Sequence, residues 1–291
     1  MTIILAVTNQ KGGVGKTTTA VNLSAALALT RRRVLMIDFD PQGNATTGSG
    51  LDKEALEVTV TDCLLDGVPL ERAIVASEAA GFHVLPANAD LTAAEVGLQQ
   101  QEGGPGRLRE LLAPVAGRYD YILIDCPPSL NMLTLNALAA ADAVLIPLQC
   151  EYYALEGLTA LLDTVDQVRE TLNPRLHVEG ILRTMFDARN RLANQVSEQL
   201  IEHFGDRVYR TIVPRNVRLA EAPSHGMPVL RYDKTSRGAL AYLALAGELV
   251  RRTGTTSVPG GAAPGQGTSD TGNSTQEASD GSEETRTGTQ P

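Results

Sequence analysis

The sequence predicts an α/β fold, a mostly parallel twisted sheet flanked by helices, on three observations. Short apolar runs alternate with longer stretches of helical periodicity. Four of those runs, at residues 3–8, 34–38, 121–125 and 143–148, are apolar almost throughout, as expected of strands covered on both faces. The first run feeds the glycine-rich stretch Lys11-Gly12-Gly13-Val14-Gly15-Lys16-Thr17-Thr18, and that stretch opens a helix. Alternation of this kind places helices on both faces of the sheet and ligands at the carboxyl ends of its strands.

Taken in chain order, Ile3-Ile4-Leu5-Ala6-Val7 is the first strand, and the helix after the glycine loop runs over 17–29. The run Val34-Leu35-Met36-Ile37-Asp38 is the second strand. Phe82-His83-Val84-Leu85-Pro86 is a further strand, followed by helices over 91–100 and 107–115. Tyr121-Ile122-Leu123-Ile124-Asp125 ends on a carboxylate and precedes a helix over 132–139. After the strand at 143–148 come a helix over 155–172, a strand over 177–182, and helices over 192–204 and 238–252. From Thr253 onward Gly, Ser, Thr, Pro, Gln and acids dominate, and large apolar residues are almost absent. Such a segment buries too little surface to offset its ordering entropy, so the expected division is one domain over 1–252 and a disordered, acidic, polar tail over 253–291.

A chain of 291 residues that is 43% hydrophobic can bury a sizeable core. No apolar run approaches the roughly 20 residues of a membrane helix, and Met1-Thr2 leads straight into a strand with no signal-peptide pattern. Cys63, Cys126 and Cys150 are widely spaced and read as reduced thiols in a cytoplasmic protein. The net charge is −9, but it is unevenly spread: residues 183–252 carry 12 basic and 7 acidic side chains. A basic third on an acidic chain is an electrostatic footprint for DNA, or a solvated surface of mixed charge. The four histidines are scattered and form no metal pair.

A glycine-rich loop between strand and helix points backbone N–H groups inward, where they cradle phosphate oxygens. Lys16 then neutralises the β- and γ-phosphates and the Thr17 hydroxyl meets Mg²⁺. The common pattern G-x-x-x-x-G-K-[ST] asks for glycine at position 10. This chain has Gln10 there, and a second lysine, Lys11, follows it. That departure resembles the deviant Walker A loop of the ParA/MinD ATPases. The resemblance continues through Val34–Asn44, Tyr121–Ser129 and Val213–Gly226, in family order, and is closest to the ParA/Soj chromosome-partitioning branch.

The resemblance implies a deviant-Walker P-loop NTPase fold, with ATP and Mg²⁺ as cofactors and a homodimer that forms with ATP. Lys11 would reach the partner copy's nucleotide, making Lys11, Lys16 and Asp40 the catalytic set. Gly12, Gly13, Val14, Gly15, Lys16, Thr17 and Thr18 would cradle the phosphates. Met185, Pro214 and Asn216 would pack around the adenine. Thr17, Asp40 and Asp125 would hold the metal, with Asp38 an accessory carboxylate. Arg189 and Arg218 match positions used for DNA binding without sequence preference, and Arg191, Arg215 and Arg237 extend that patch or serve structure. A ParB-type partner would stimulate slow hydrolysis, which implies a cytoplasmic, nucleoid-associated protein. A MinD-like membrane-cycling ATPase is the alternative; the tail lacks the basic amphipathic helix that branch ends in. A reductase like the nitrogenase iron protein would need a second cysteine placed to bridge a cluster, and none has the spacing.

Overall fold

A computed structural model describes residues 2–256, and its frame is one eight-stranded sheet. The chain enters through β1 (Ile3–Val7), α1 (Lys16–Leu29) and β2 (Val34–Asp38). Three short helices follow, α2 (Asn44–Gly48), α3 (Val60–Leu65) and α4 (Leu70–Ala73), and then β3 (Val75–Ser77) and β4 (Phe82–Leu85). Next come α5 (Leu91–Gln100), α6 (Arg107–Leu112), β5 (Tyr121–Asp125), α7 (Met132–Ala140), β6 (Ala143–Gln149) and α8 (Ala154–Thr171). The last part holds β7 (His177–Phe186), α9 (Arg191–Phe204), β8 (Val208–Pro214), α10 (Val217–Glu221), α11 (Val229–Tyr232) and α12 (Arg237–Thr256).

The strand order is β3-β4-β2-β5-β1-β6-β7-β8. Every pairing is parallel except β3 with β4. β1, β2 and β5 are buried over most or all of their length, so their apolar runs need no alternation. One layer of core lies under α3, α5, α6, α7 and α8 (Leu64, Leu98, Leu112, Leu138, Leu158). The opposite layer joins α1 to α12 through Leu23, Leu27, Tyr242, Leu245 and Leu249. In register, Val7 of β1 and Asp38 of β2 both stand beside Asp125 of β5. Three strands therefore end at one level, and that level carries the glycine loop.

β8 is an edge strand that sequence patterning does not anticipate. Its ladder to β7 is broken by two register shifts, and side chains supply much of what the ladder lacks. Glu248 on α12 accepts from the backbone N–H of Arg210 and Thr211, both at 2.9 Å, and from the Thr211 hydroxyl at 2.7 Å. From the other side the buried Arg183 donates to Ser197 Oγ at 2.8 Å and to the Tyr209 carbonyl at 2.9 Å. A carboxylate that closes a sheet edge also blocks strand addition there. Glu248→Ala is expected to cost about 2–3 kcal/mol by leaving those donors unpaired. A urea titration checks this; a loss under about 0.5 kcal/mol would mean that water replaces the carboxylate at no cost.

The fold runs past the expected boundary at residue 252. α12 continues to Thr256. Thr253 is buried, with its hydroxyl 2.7 Å from the Tyr121 hydroxyl and 2.9 Å from the Leu249 carbonyl. That contact anchors polar residues which composition alone assigns to the tail. The rest of the expected tail, residues 257–291, lies outside the described residues.

Candidate nucleotide site

The loop between β1 and α1 is built for an anion. Gly13 and Gly15 take left-handed backbone angles, φ +73° and +90°, which a side chain would strain. Gly15 stands at the N-cap of α1, and no side chain caps that helix. Its first N–H groups are left for an external acceptor, at the positive end of a 14-residue helix. Thr184 Oγ1 donates to the Val14 carbonyl at 2.7 Å and ties the loop to β7.

A cavity of about 430 Å³ opens at this point. Gly12, Gly13, Gly15, Lys16, Thr17 and Thr18 line one end, and Met185, Pro214, Arg215 and Asn216 line the other. Asp40, Asn44 and Pro128 stand at its side. The expected phosphate and adenine residues are thus brought to one cavity, with two exceptions. Val14 is buried, so only its backbone belongs to the loop. Lys11 does not line the cavity; its ammonium forms an ion pair with Glu151, just after β6. Met185 has φ +48°, a conformation that is uncommon for a non-glycine residue, at the point where β7 and β8 lose register. Asn216 also caps α10, accepting from the Leu219 N–H at 3.3 Å.

Lys16 is buried at the foot of the loop, where its ammonium donates to the Lys11 carbonyl at 3.1 Å. Burial lowers its pKa, against the opposing pull of Asp125. Asp38 and Asp125 are both fully buried side by side. Asp38 is engaged: it accepts from the Thr46 N–H and hydroxyl, each at 2.7 Å, and from the Asp40 N–H at 3.3 Å. Burial still pushes its pKa up to about 6. Asp38 therefore pins the loop that carries Asp40. Neither Asp125 oxygen makes a well-formed hydrogen bond; the Thr17 hydroxyl lies near enough to pull its pKa down, but burial and then Asp38 push it well above the usual range. A buried carboxylate so weakly partnered, beside Thr17 and below a phosphate loop, fits a divalent cation as its partner.

Among the described residues no cluster of three or more His, Cys, Asp or Glu is placed to hold a metal by itself. The three cysteines are free and buried. No described helix is long and apolar enough to cross a membrane. Arg189 and Arg218 both lie on the surface. Arg189, two residues before α9, pairs with Asp187 at 2.8 Å; Arg218 pairs with Glu221 at 2.8 Å and Asp233 at 3.3 Å. Thr46, Asn44, Thr184, Tyr242 and Glu151 are site residues that the sequence reading did not single out. Only the tertiary contacts expose them, because no motif spacing marks a threonine that holds an aspartate eight residues before it.

A two-lysine glycine loop, a buried aspartate at the adjoining strand end and a cavity that reaches from the loop to the ends of β7 and β8 define a P-loop ATPase of the deviant class, an ATP hydrolase. A family model described as an AAA domain matches residues 1–178. The chain is 54% identical to the chromosome partitioning protein ParA of Myxococcus xanthus over 249 residues, 86% of this chain and 88% of that one. It is 54% identical to the sporulation initiation inhibitor protein Soj of Bacillus subtilis over 246 residues, 84% of this chain and 97% of that one. Among solved structures, one titled cobyrinic acid a,c-diamide synthase from Mycobacterium smegmatis, with bound ADP and magnesium, superposes with a TM-score of 0.77. It is 38% identical, with 91% of this chain and all of that one covered. The chain belongs to the ParA/Soj family of chromosome-partitioning ATPases.

Proposed function

We propose that ATP and Mg²⁺ close two copies of this chain face to face across their phosphate loops. The closed dimer binds duplex DNA without sequence preference. A ParB-type protein ends that state by stimulating a slow hydrolysis, in a cytoplasmic cycle on the nucleoid. Thr17, Asp125 and Asp40 would hold the metal, which supplies positive charge to the β- and γ-phosphates. Lys16 binds those phosphates from within the chain, and Lys11 reaches the partner copy's nucleotide.

The observation that carries this reading is Gly12. Its φ is not left-handed and a Cβ there would meet nothing within 4 Å, so nothing inside one chain requires a glycine. A close approach from outside does. Lys11 sits beside it, outside the cavity, and Tyr152 and Tyr153, next to Glu151, are 75% and 68% exposed. Apolar surface next to the loop suits a face that a second copy covers. Gly12→Val should fold with an unchanged melting temperature yet remain a monomer with ATP and Mg²⁺. Sedimentation velocity decides the matter: an ATP-dependent dimer of the valine variant sinks the face-to-face arrangement.

DNA binding is tested through salt. Each phosphate contact contributes roughly 0.9 to the log–log slope of affinity against salt. A two-fold dimer presents Arg189 and Arg218 twice, so Arg189→Ala or Arg218→Ala should each flatten the slope by about 2. ATP-dependent dimerisation should persist in both. Unchanged slopes in two folded variants would leave these arginines as partners of Asp187, Glu221 and Asp233 only.

A further inference from the structure

At the pole of the sheet opposite the phosphate loop, where β2 and β5 begin, Arg32, Arg33, Arg118 and His83 line a pocket of about 230 Å³. Arg31 is exposed beside it. Two carboxylates face this cluster: Asp120 pairs with Arg33 at 2.9 Å, and Glu71 lies 3.8 Å from Arg118. The Arg32 backbone N–H donates to the Leu27 carbonyl at 3.3 Å, but its guanidinium makes no hydrogen bond or short ion pair among the described residues, and its charge acts on Asp120 only at longer range. The cluster thus keeps excess positive charge on an otherwise acidic chain, and none of it serves the nucleotide site.

α12 delivers the chain to this pole. The Thr253 hydroxyl touches Tyr121, whose backbone N–H donates to the Arg33 carbonyl at 3.2 Å. Residues 257–291 follow, with five acids (Asp270, Glu277, Asp280, Glu283 and Glu284) against a single base, Arg286. A stretch of the length between Thr256 and Asp270 reaches at most about 46 Å. The acids are therefore tethered within reach of the arginines, at roughly millimolar effective concentration.

We propose that the acidic segment of this chain, residues 270–284, docks on the arginine pocket at the start of β2 and β5. Docking makes the pole a covered surface and keeps its arginines from other polyanions. Single exposed ion pairs are weak and screened by salt, so the contact is held by tethering and by several charges at once.

The test places a nitroxide on Ser282→Cys in the full chain, whose native cysteines are buried. The amide signals of residues 31–34 and 117–120 should broaden at about 50 mM salt and recover at about 0.5 M. The broadening should vanish in Arg32→Glu, an exposed position whose exchange leaves the melting temperature unchanged, and in a chain with the five acids replaced by their amides. No local broadening at low salt overturns the proposal. So does broadening confined to the groove between β8 and α12, where Arg210 and Arg251 alternate with Asp206 and Glu248. If instead the pole shows no broadening while Arg32→Glu flattens the salt dependence of DNA binding, the pocket is a nucleic-acid surface and the tail is not its occupant.

Discussion

Replacing Lys16 by alanine is expected to weaken ATP binding by about 100-fold or more, since removing one side of a buried charge pair costs about 2–5 kcal/mol. The ammonium is the cation at the foot of the loop, in a site where burial already disfavours its charge. An arriving triphosphate adds counter-charge in direct contact with this lysine, whose one hydrogen-bond acceptor among the described residues is the Lys11 carbonyl. Without it, the loop offers only N–H dipoles to several negative oxygens. The fold should survive, since the remaining backbone of α1 is held by Asn22, which donates to Thr18 O and accepts from Val229 N. Titration calorimetry with ATP and Mg²⁺ measures the loss. An affinity within a factor of two of the parent, in a folded variant, would remove Lys16 from the phosphate site.

The second large effect is a gain in stability at the expense of the site. Asp125→Asn should raise the melting temperature of the nucleotide-free protein and abolish the dependence of ATP binding on Mg²⁺. Asp125 is buried beside Asp38, only the nearby Thr17 hydroxyl offsets that burial and neither oxygen makes a well-formed hydrogen bond, and its pKa stands well above the ordinary value. Above pH 4 or so the unfolded chain gives up this proton while the native state keeps it. The native state then binds more protons than the unfolded one, so stability falls as pH rises. An asparagine carries no such penalty. The advantage of the variant should be small near pH 5 and grow toward pH 8, reaching about 1–3 kcal/mol, or about 2–4 °C per kcal/mol at this chain length. Adding ATP and Mg²⁺ should reverse the order, because only the parent chain gains the binding free energy of both. Thermal scans across pH decide it. A variant less stable than the parent at pH 8, with Mg²⁺-dependent ATP binding intact, would show that Asp125 is a structural acceptor and no metal residue.

Much of this molecule was legible because its strongest signals are local. β1, β2, β5 and β6 are apolar runs whose burial on both faces leaves no other reading, and the glycine loop announces itself by residue type and spacing. The long helices α8, α9 and α12 follow from periodicity, and α1 from the glycine loop that opens it. What escaped was short or irregular. α2, α3, α4, α10 and α11 have six residues or fewer, too few turns for a period to show. β8 carries Arg210 and Thr211 in its middle, and its missing ladder is made good by Glu248 from a helix some 37 residues away. The boundary at residue 252 was set by composition, whereas Thr253 is held by one hydroxyl contact to a strand 132 residues earlier.

The amino-acid order alone settled the layered α/β architecture, the phosphate loop and the family, because hydrophobic period and glycine spacing act through neighbours in the chain. Most of the residues it singled out for the phosphates and the base line one cavity, with Lys11 and Val14 the exceptions. Their partners waited for the fold. The resemblance already set Asp40 apart from Asp38; the fold adds their partners, with Asp38 hydrogen-bonded to Thr46 and Asp40 lining the cavity. Asp125 was expected at the metal from the resemblance; strand pairing adds that it is buried side by side with Asp38. Lys11 turned out to rest on Glu151, 140 residues away. A side chain's partners are set by which strand ends lie side by side, and that is a property of the sheet as a whole.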